Sequence, residues 1–395
     1  MLQHAAMVRK KAPCIVFDNA DHFKIELQEC IFRFARAVFE KSVSMVVVPI
    51  TDKTSWNLSR QGALQSFHCE SFFLPTPTPR KVLEKRIQYL EKKMAGTEEE
   101  SAKYLVGRGV TLSLPNLRAF SASLQQVFLN TGSVSDWVGG LCNHDIRRGL
   151  DLTRDIVASP HLKVIDLVKA YVAKETAFLK PVHVKKAIIR GAYNIYPVGR
   201  HRYVQNVFCL NTDIDTSPLL GLRVLRLLKD ACRPEVDGED RFVAVEQLTS
   251  YFAAMGVEPR VVGLWIEAML KTGLCLGYDP TVDAVAETKR LEISPSGMQH
   301  LYWGLRDWVY LDAMAETTPI LEPDVHRTLL SIYKTVIDRS WIEAIQEFLA
   351  YLAAEDAKYC EVPSHEAYSG QKSLMADINA TKVALQNERA KGAGH

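Results

Sequence analysis

The sequence predicts an α/β front followed by a mainly helical remainder. Two observations carry this reading. Residues 1–95 alternate short, continuous β-branched runs with amphipathic helix patterns, as in a parallel sheet whose strands are covered on both faces. From residue 101 onward apolar residues recur at helical spacing, broken only by one pair of short strand-like runs.

Taken in order, residues 12–17 are an apolar run that ends in an acidic cluster, and 43–50 is a second such run. Between them, 23–40 carries Ile25, Ile31, Phe32, Phe34, Ala35, Val38 and Phe39 at helical spacing. Residues 55–66 read as helix, 70–74 as a short strand, 79–93 as an amphipathic helix and 96–100 as a solvated linker. Residues 101–176 predict a small helical domain without strands, with Pro160 between two of its helices. Within 181–315, the segments 218–231, 243–255 and 259–272 are three helices; Gly256 and Gly273 close the second and third. Strands at 274–277 and 290–293 come next, and Ser294-Pro295 is an N-cap with Pro at the first helical position. Three helices and a two-stranded wing describe a winged helix. Residues 316–395 are helical, and 372–391 is so poor in apolar residues that it is expected to fray.

Composition narrows the function classes. A chain of 395 residues makes two to four packed units, and 47% apolar with 24% charged residues is a globular balance. Lys and Arg total 48 against 46 Asp and Glu, a net charge of +2, which excludes a polycationic nucleic-acid coat but not a local basic face. No apolar run reaches the roughly 18–20 residues of a membrane span, so no membrane partner is expected. The first 13 residues have no apolar core of export-signal length. The eight cysteines form no C-x-x-C pair, and Cys142 with His144 is the densest Cys/His grouping. Reduced, buried thiols in a cytoplasmic protein are expected, without a zinc site.

The chemistry concentrates at Cys14-Ile15-Val16-Phe17-Asp18-Asn19-Ala20-Asp21. A parallel strand delivers its carboxyl end to the ligand crevice. A carboxylate there, Asp18, can hold the water shell of a nucleotide-bound Mg²⁺. Read otherwise, Asp18 only opens a turn or caps the next helix.

From this strand onward, the succession of segments resembles the AAA+-type P-loop ATPases of the initiator and STAND-like group, entered at their Walker B strand. CIVFDNADHF is similar to that Walker B strand and SMVVVPITDKTSW to the next strand, which ends in a polar sensor. SFFLPTPTPRKVLEKRIQYL is similar to the crossing into their lid, and NHDIRRGLDLTRDIVAS to the lid helix of origin-recognition ATPases. The resemblance covers roughly residues 12–315 and lies in the order of the motifs. It implies a partial P-loop core (1–95), a helical lid (101–176), a winged helix (181–315) and a helical extension (316–395), with ATP and Mg²⁺ as cofactors. Asp18 would then be the metal-side carboxylate, and Asn19 would stand where the water-polarising Glu usually stands, with Asp21 as a displaced substitute. Thr51 or Asp52 would be the first sensor, Arg147 the second, and Arg60 a finger toward a neighbouring subunit. Arg148, about 100° around the helix, is expected to face solvent.

Two departures decide what the resemblance can mean. An amide at Asn19 cannot accept a proton as the Glu would. The phosphate-cradling G-x-x-x-x-G-K-[ST] loop does not occur in the sequence. The expectation is therefore a truncated or degenerate regulatory ATPase that responds to nucleotide or is non-catalytic, serving signalling, DNA transactions or prokaryotic defence. Competing with it are a non-catalytic interaction scaffold, with self-association or a protein partner, and a winged-helix DNA-binding regulator. For the last, Lys289 and Arg290 on the wing are the candidate contacts, although 259–272 offers only Arg260 and Lys271. A second basic stretch, Lys185, Lys186, Arg190, Arg200, His201 and Arg202 with Tyr193, Tyr196 and Tyr203, is the stronger nucleic-acid candidate; its plain reading is a solvated connecting surface. The aromatics Tyr302, Trp303, Trp308 and Tyr310 are expected to pack a core.

Overall fold

The computed structural model describes residues 7–51, 55, 59, 70–94, 102–106, 110–114, 117–173, 179–210, 214–232, 235, 238–279, 288–334 and 341–392. Helices dominate, with three small sheets. The chain forms two compact units, Met1–Pro75 with Asp279–Asp283, and Thr76–Tyr278 with Ala284–His395.

In the first unit, β1 (Cys14–Val16) pairs in parallel with β2 (Met45–Val47), and α1 (Ile25–Lys41) makes the crossover. The ladder extends at both ends, Met45 N–H donating to the Pro13 carbonyl and Phe17 N–H to that of Val47. One face packs on α1 through Ile15 and Val46, while Val16, Met45 and Val47 stay exposed. Both faces of this parallel pair are apolar, and among the described residues of this unit one is covered, by α1.

The second unit opens with α2 (Pro79–Met94), which packs on α3 (Leu117–Gln125) and α4 (Val134–Leu141). A hairpin, β3 (Ala102–Val106) and β4 (Val110–Leu114), precedes α3. This corrects the expectation that 101–176 lacks strands: Tyr104, Val106, Val110 and Thr111 favour extended backbone, and Gly107 and Gly109 punctuate them. Next come α5 (Ile146–Val157), α6 (Val164–Val172) and α7 (Pro181–Arg190). The long connection to α8 (Leu220–Ala231) is irregular but heavily hydrogen-bonded.

After α8 the order is β5 (Val243–Ala244), α9 (Val245–Ala253), α10 (Pro259–Thr272), β6 (Cys275–Gly277) and β7 (Arg290–Ile293). The three strands form an antiparallel sheet in the order β5-β7-β6. Strand β5 replaces the expected start of a helix at 243, because Val243 and Ala244 pair with the edge of β7. The chain continues through α11 (Pro295–Arg306), α12 (Trp308–Ala315), α13 (Pro323–Lys334), α14 (Trp341–Tyr359) and α15 (Ser369–Gly392). One apolar core runs from Leu83 to Leu385. It takes in Trp303 and Tyr310, both fully buried, while Trp308 stacks on Trp341 at 4.3 Å and Tyr302 stays exposed.

Two further expectations change. Residues 70–74 form no strand and join no ladder among the described residues, and Phe72, Phe73 and Leu74 are exposed; an apolar run becomes a strand only beside a partner edge. The polar C-terminal helix does not fray. Leu374, Ile378 and Leu385 align on one face of α15 and bury against α8, α11 and α14. Arg226 and Arg306 hold Asp377 from two sides, at 3.2 and 2.8 Å. Residues 55–66 and the 96–100 linker lie almost wholly or wholly outside the described residues.

Candidate functional site

The parallel register of β1 and β2 puts the residues after both strands at the same end of the sheet. Asp18 and Asn19 follow β1, and Thr51 follows β2, so three of the expected residues share the carboxyl edge. All three are exposed. Asp18 Oδ1 accepts the N–H of Asn19 at 2.9 Å, and Asn19 takes a left-handed conformation, φ 59°, which Asn tolerates better than most residues. Asp21, half-buried, sits in the short helical turn 20–22, where Gln28 Nε2 donates to its carbonyl. Asp52 and Arg60 lie outside the described residues.

Mg²⁺ on a nucleotide asks for one or two carboxylates completed by phosphate and water. Asp18 supplies one exposed carboxylate, and among the described residues no group of three or more His, Cys, Asp or Glu side chains gathers. With no phosphate-cradling loop in the sequence, these residues do not fit a self-sufficient Mg-ATP site.

Arg147 belongs to the second unit, where its neighbour in sequence, Ile146, lines a crevice that the sequence did not announce; Arg147 itself is not among the lining residues. The crevice is shallow and open, with an enclosed volume of about 20 Å³, and its walls are mostly apolar: Pro77, Pro79 and Leu83 from α2 and the segment before it, Val138 and Gly139 from α4, and Ile146 and Leu150 from α5. Gly139 lets α2 and α4 approach, since a Cβ there would fall 2.4 Å from Pro79 Cγ. His144 and Asp145 close one side, and Asp145 caps α5 by accepting the N–H of Arg148 at 2.8 Å. Arg147, the second residue of α5, is exposed, and its side chain makes no hydrogen bond or ion pair among the described residues. Arg148 departs from expectation: it is half-buried, its guanidinium 5.8 Å from the centre of the Tyr203 ring.

The loop that closes the crevice is strained. Asn143 and His144 both have positive φ, 50° and 59°. The Asn143 side chain holds this geometry. Its Nδ2 donates to the carbonyl of Gly273, at the end of α10, and its Oδ1 accepts the N–H of Ser296, at the start of α11, both at 2.8 Å. The crevice wall is thus tied to the helices on either side of the small sheet. Asn143 was missed because nothing in its local sequence distinguishes it; the Gly139-Gly140 pair inside a helical pattern was the available sign of a close approach.

On the wing, Lys289 is exposed, whereas Arg290 Nη1 donates to the Phe242 carbonyl at 3.4 Å. Of the second basic stretch, most is consumed internally. Lys185 pairs with Asp307, Arg190 with Asp312 and Glu316, and His201, Tyr196 and Tyr203 pack beneath the 191–210 loop. No protein-family model, curated protein or solved structure matches the chain.

Proposed function

We propose that the chain is a nucleotide-responsive, non-hydrolysing relative of the AAA+/STAND-like ATPases, read from its Walker B strand through a lid to a winged helix. The crevice at the start of α5, the helix that carries Arg147 as its second residue, is the observation that carries this reading. Its apolar walls offer a surface for the edge of a nucleobase, and the exposed guanidinium at the N-terminus of α5 offers a fork to an anionic oxygen. The carboxyl-edge grouping of Asp18 and Thr51 on a parallel β-α-β unit supports the same reading, as does the order α8-β5-α9-α10-β6-β7 with its β5-β7-β6 sheet, the order a winged helix has. Asn143 gives the crevice a direct hydrogen-bonded connection to both flanks of that sheet, so a ligand that moves the 143–145 loop biases the helices beyond it.

Titration calorimetry with ADP and ATP, with and without Mg²⁺, tests the reading. Binding that Gly139→Leu abolishes and Arg147→Ala weakens, without release of inorganic phosphate, is the expected result. Absence of heat and of any thermal shift with either nucleotide rejects it. One observation favours a second reading, a non-catalytic interaction scaffold: the uncovered apolar face of β1 and β2. In that case partner capture survives Asp18→Ala and Arg147→Ala alike.

A further inference from the structure

A cationic face lies outside both the crevice and the wing. Lys180, His183 and Lys186 succeed one another at intervals of three along α7, on one side of the helix. Lys163, at the start of α6, lies within electrostatic reach of His183. Burial first, and then the like charges of Lys186, Lys180 and Lys163, lower the tendency of that imidazole to take a proton. None of the three lysines is in an ion pair among the described residues, in contrast to Lys185, their neighbour, which Asp307 holds. The one carboxylate on the first turn of α6, Asp166, forms no ion pair among them either.

The C-terminal end of α7 leads into a loop built for rigidity. Arg190 Nη1 donates to the Asn194 carbonyl at 2.6 Å, His161 donates to that of Tyr193 at 2.7 Å, and Ser159 to that of Gly191 at 2.5 Å. Tyr196 is buried and bonds the Val204 carbonyl. Upon this base the tip displays Tyr193, Ile195 and Val198, exposed by 41%, 57% and 53%, with Arg200 and Arg202 beside them in sequence and also exposed. A loop pinned this firmly yet presenting apolar side chains to water is a recognition element.

We infer that α7 from Lys180 to Lys186, Lys163 and the 193–202 tip form a nucleic-acid interface, the cations on the phosphate backbone and Tyr193 with Ile195 against bases or sugar. The lysines run along about 9 Å of helix rather than ringing the tip, which suits a linear polyanion better than a planar anionic membrane. The partner is read by its backbone, because lysine–phosphate contacts carry no sequence information. The inference does not depend on nucleotide binding in the crevice.

Fluorescence anisotropy with the full chain, a labelled mixed-sequence duplex and its single strand decides the matter, measured from about 50 to about 200 mM salt. The wild type should bind one or both forms with a steep salt slope. The pair Lys180→Glu with Lys186→Glu should weaken binding by about tenfold or more. The neutral pair Lys180→Gln with Lys186→Gln should flatten the log–log slope by roughly 1.8, two phosphate contacts' worth. Lys289→Glu, on the wing, should change nothing, and thermal melts of all variants should coincide. Which form binds more tightly tells whether the tip works in a groove or by stacking on free bases. The inference is wrong if neither form binds at the lower salt. It is equally wrong if Lys289→Glu causes the loss while the α7 variants do not, or if only phosphatidylserine vesicles are bound.

Discussion

His201 and His300 each act as a neutral hydrogen-bonding joint. His300, fully buried, donates from Nδ1 to the Ser296 carbonyl at 2.7 Å and accepts the Gln205 N–H on Nε2 at 2.8 Å. His201 is the mirror case, accepting from Tyr203 and Val204 N–H groups on Nδ1 and donating from Nε2 to the Ile188 carbonyl. Desolvation pulls both imidazoles down to about 4, against backbone acceptors that raise them. Between there and the ordinary 6.5 the unfolded chain binds protons that the folded chain does not. Stability is therefore complete above pH 6.5 and is lost as pH falls toward 4, at about 1.4 kcal/mol per pH unit for each ring. Urea unfolding at pH 7.5 and pH 5 should show a deficit of about 2–4 kcal/mol at the lower pH. His300→Gln, which keeps a donor and an acceptor, should remove roughly half of it. A pH dependence untouched by that change would contradict the assignment. A second residue-scale prediction concerns Arg223, whose guanidinium grips the Asp356 carboxylate through two bonds of 2.9 and 2.5 Å with both side chains buried. Ser217 donates to the same carboxylate and Gln371 accepts from the guanidinium, so the charges are fully engaged. Asp356→Ala leaves a buried cation and should cost about 3–5 kcal/mol in denaturant titration.

At the scale of elements, close approach and sparse apolar alignment decide what packs. Helix α11 starts on a Ser294 cap, whose Oγ accepts the Gly297 N–H at 2.9 Å, and Gly297 sits close against Leu274, between α10 and β6, and against Ile293 of β7. A Cβ at Gly297 would lie 2.1 Å from the Leu274 carbonyl oxygen and 2.9 Å from Ile293 Cγ1. Backbone cannot yield as a side chain can, so Gly297→Ala should destabilise by about 1–3 kcal/mol, read as a lowered melting temperature. Helix α15 shows how few anchors suffice. Leu374 is fully buried, and Leu374→Ala should cost about 2–5 kcal/mol and open α15 to limited proteolysis. An unchanged digestion pattern would mean that the Asp377 ion pairs alone hold the helix. The Pro-initiated starts of α10 and α11 were legible residue by residue, because Pro at the first turn and Gly273 at an end act locally. Strand β5 and the seating of α15 were not, because each depends on a partner more than forty residues away in the chain.

For the molecule as a whole, the two units differ in self-sufficiency. The second has a continuous core, whereas the first, among its described residues, pairs two short strands and leaves Val16, Phe34, Phe39, Met45 and Val47 exposed. A two-stranded sheet of this kind is at best marginal in water unless something covers it. The full chain should therefore bind an apolar dye such as ANS and associate at rising concentration in sedimentation velocity. Charged replacements at Val16 and Met45 should suppress both. If they leave dye binding and association unchanged, the exposed face is not their source.

Periodicity, caps and composition by themselves determined the mainly helical character, the α/β start, the bounds of a few helices such as 79–94 and 259–272, and the candidate carboxylate at the end of β1. These arise from interactions within one or two turns of chain, where each residue's own propensity decides. Tertiary structure alone decided which charges are available. Lys185, Arg190 and Arg290 read in sequence like Lys180, Lys186 and Lys289, yet the first three are held by Asp307, by Asp312 with Glu316, and by the Phe242 carbonyl. It also decided that Asn143 reaches Gly273 and Ser296, and that Gly139 opens a crevice against Pro79. Such pairings are set by where distant segments meet, and a linear pattern carries no term for that distance.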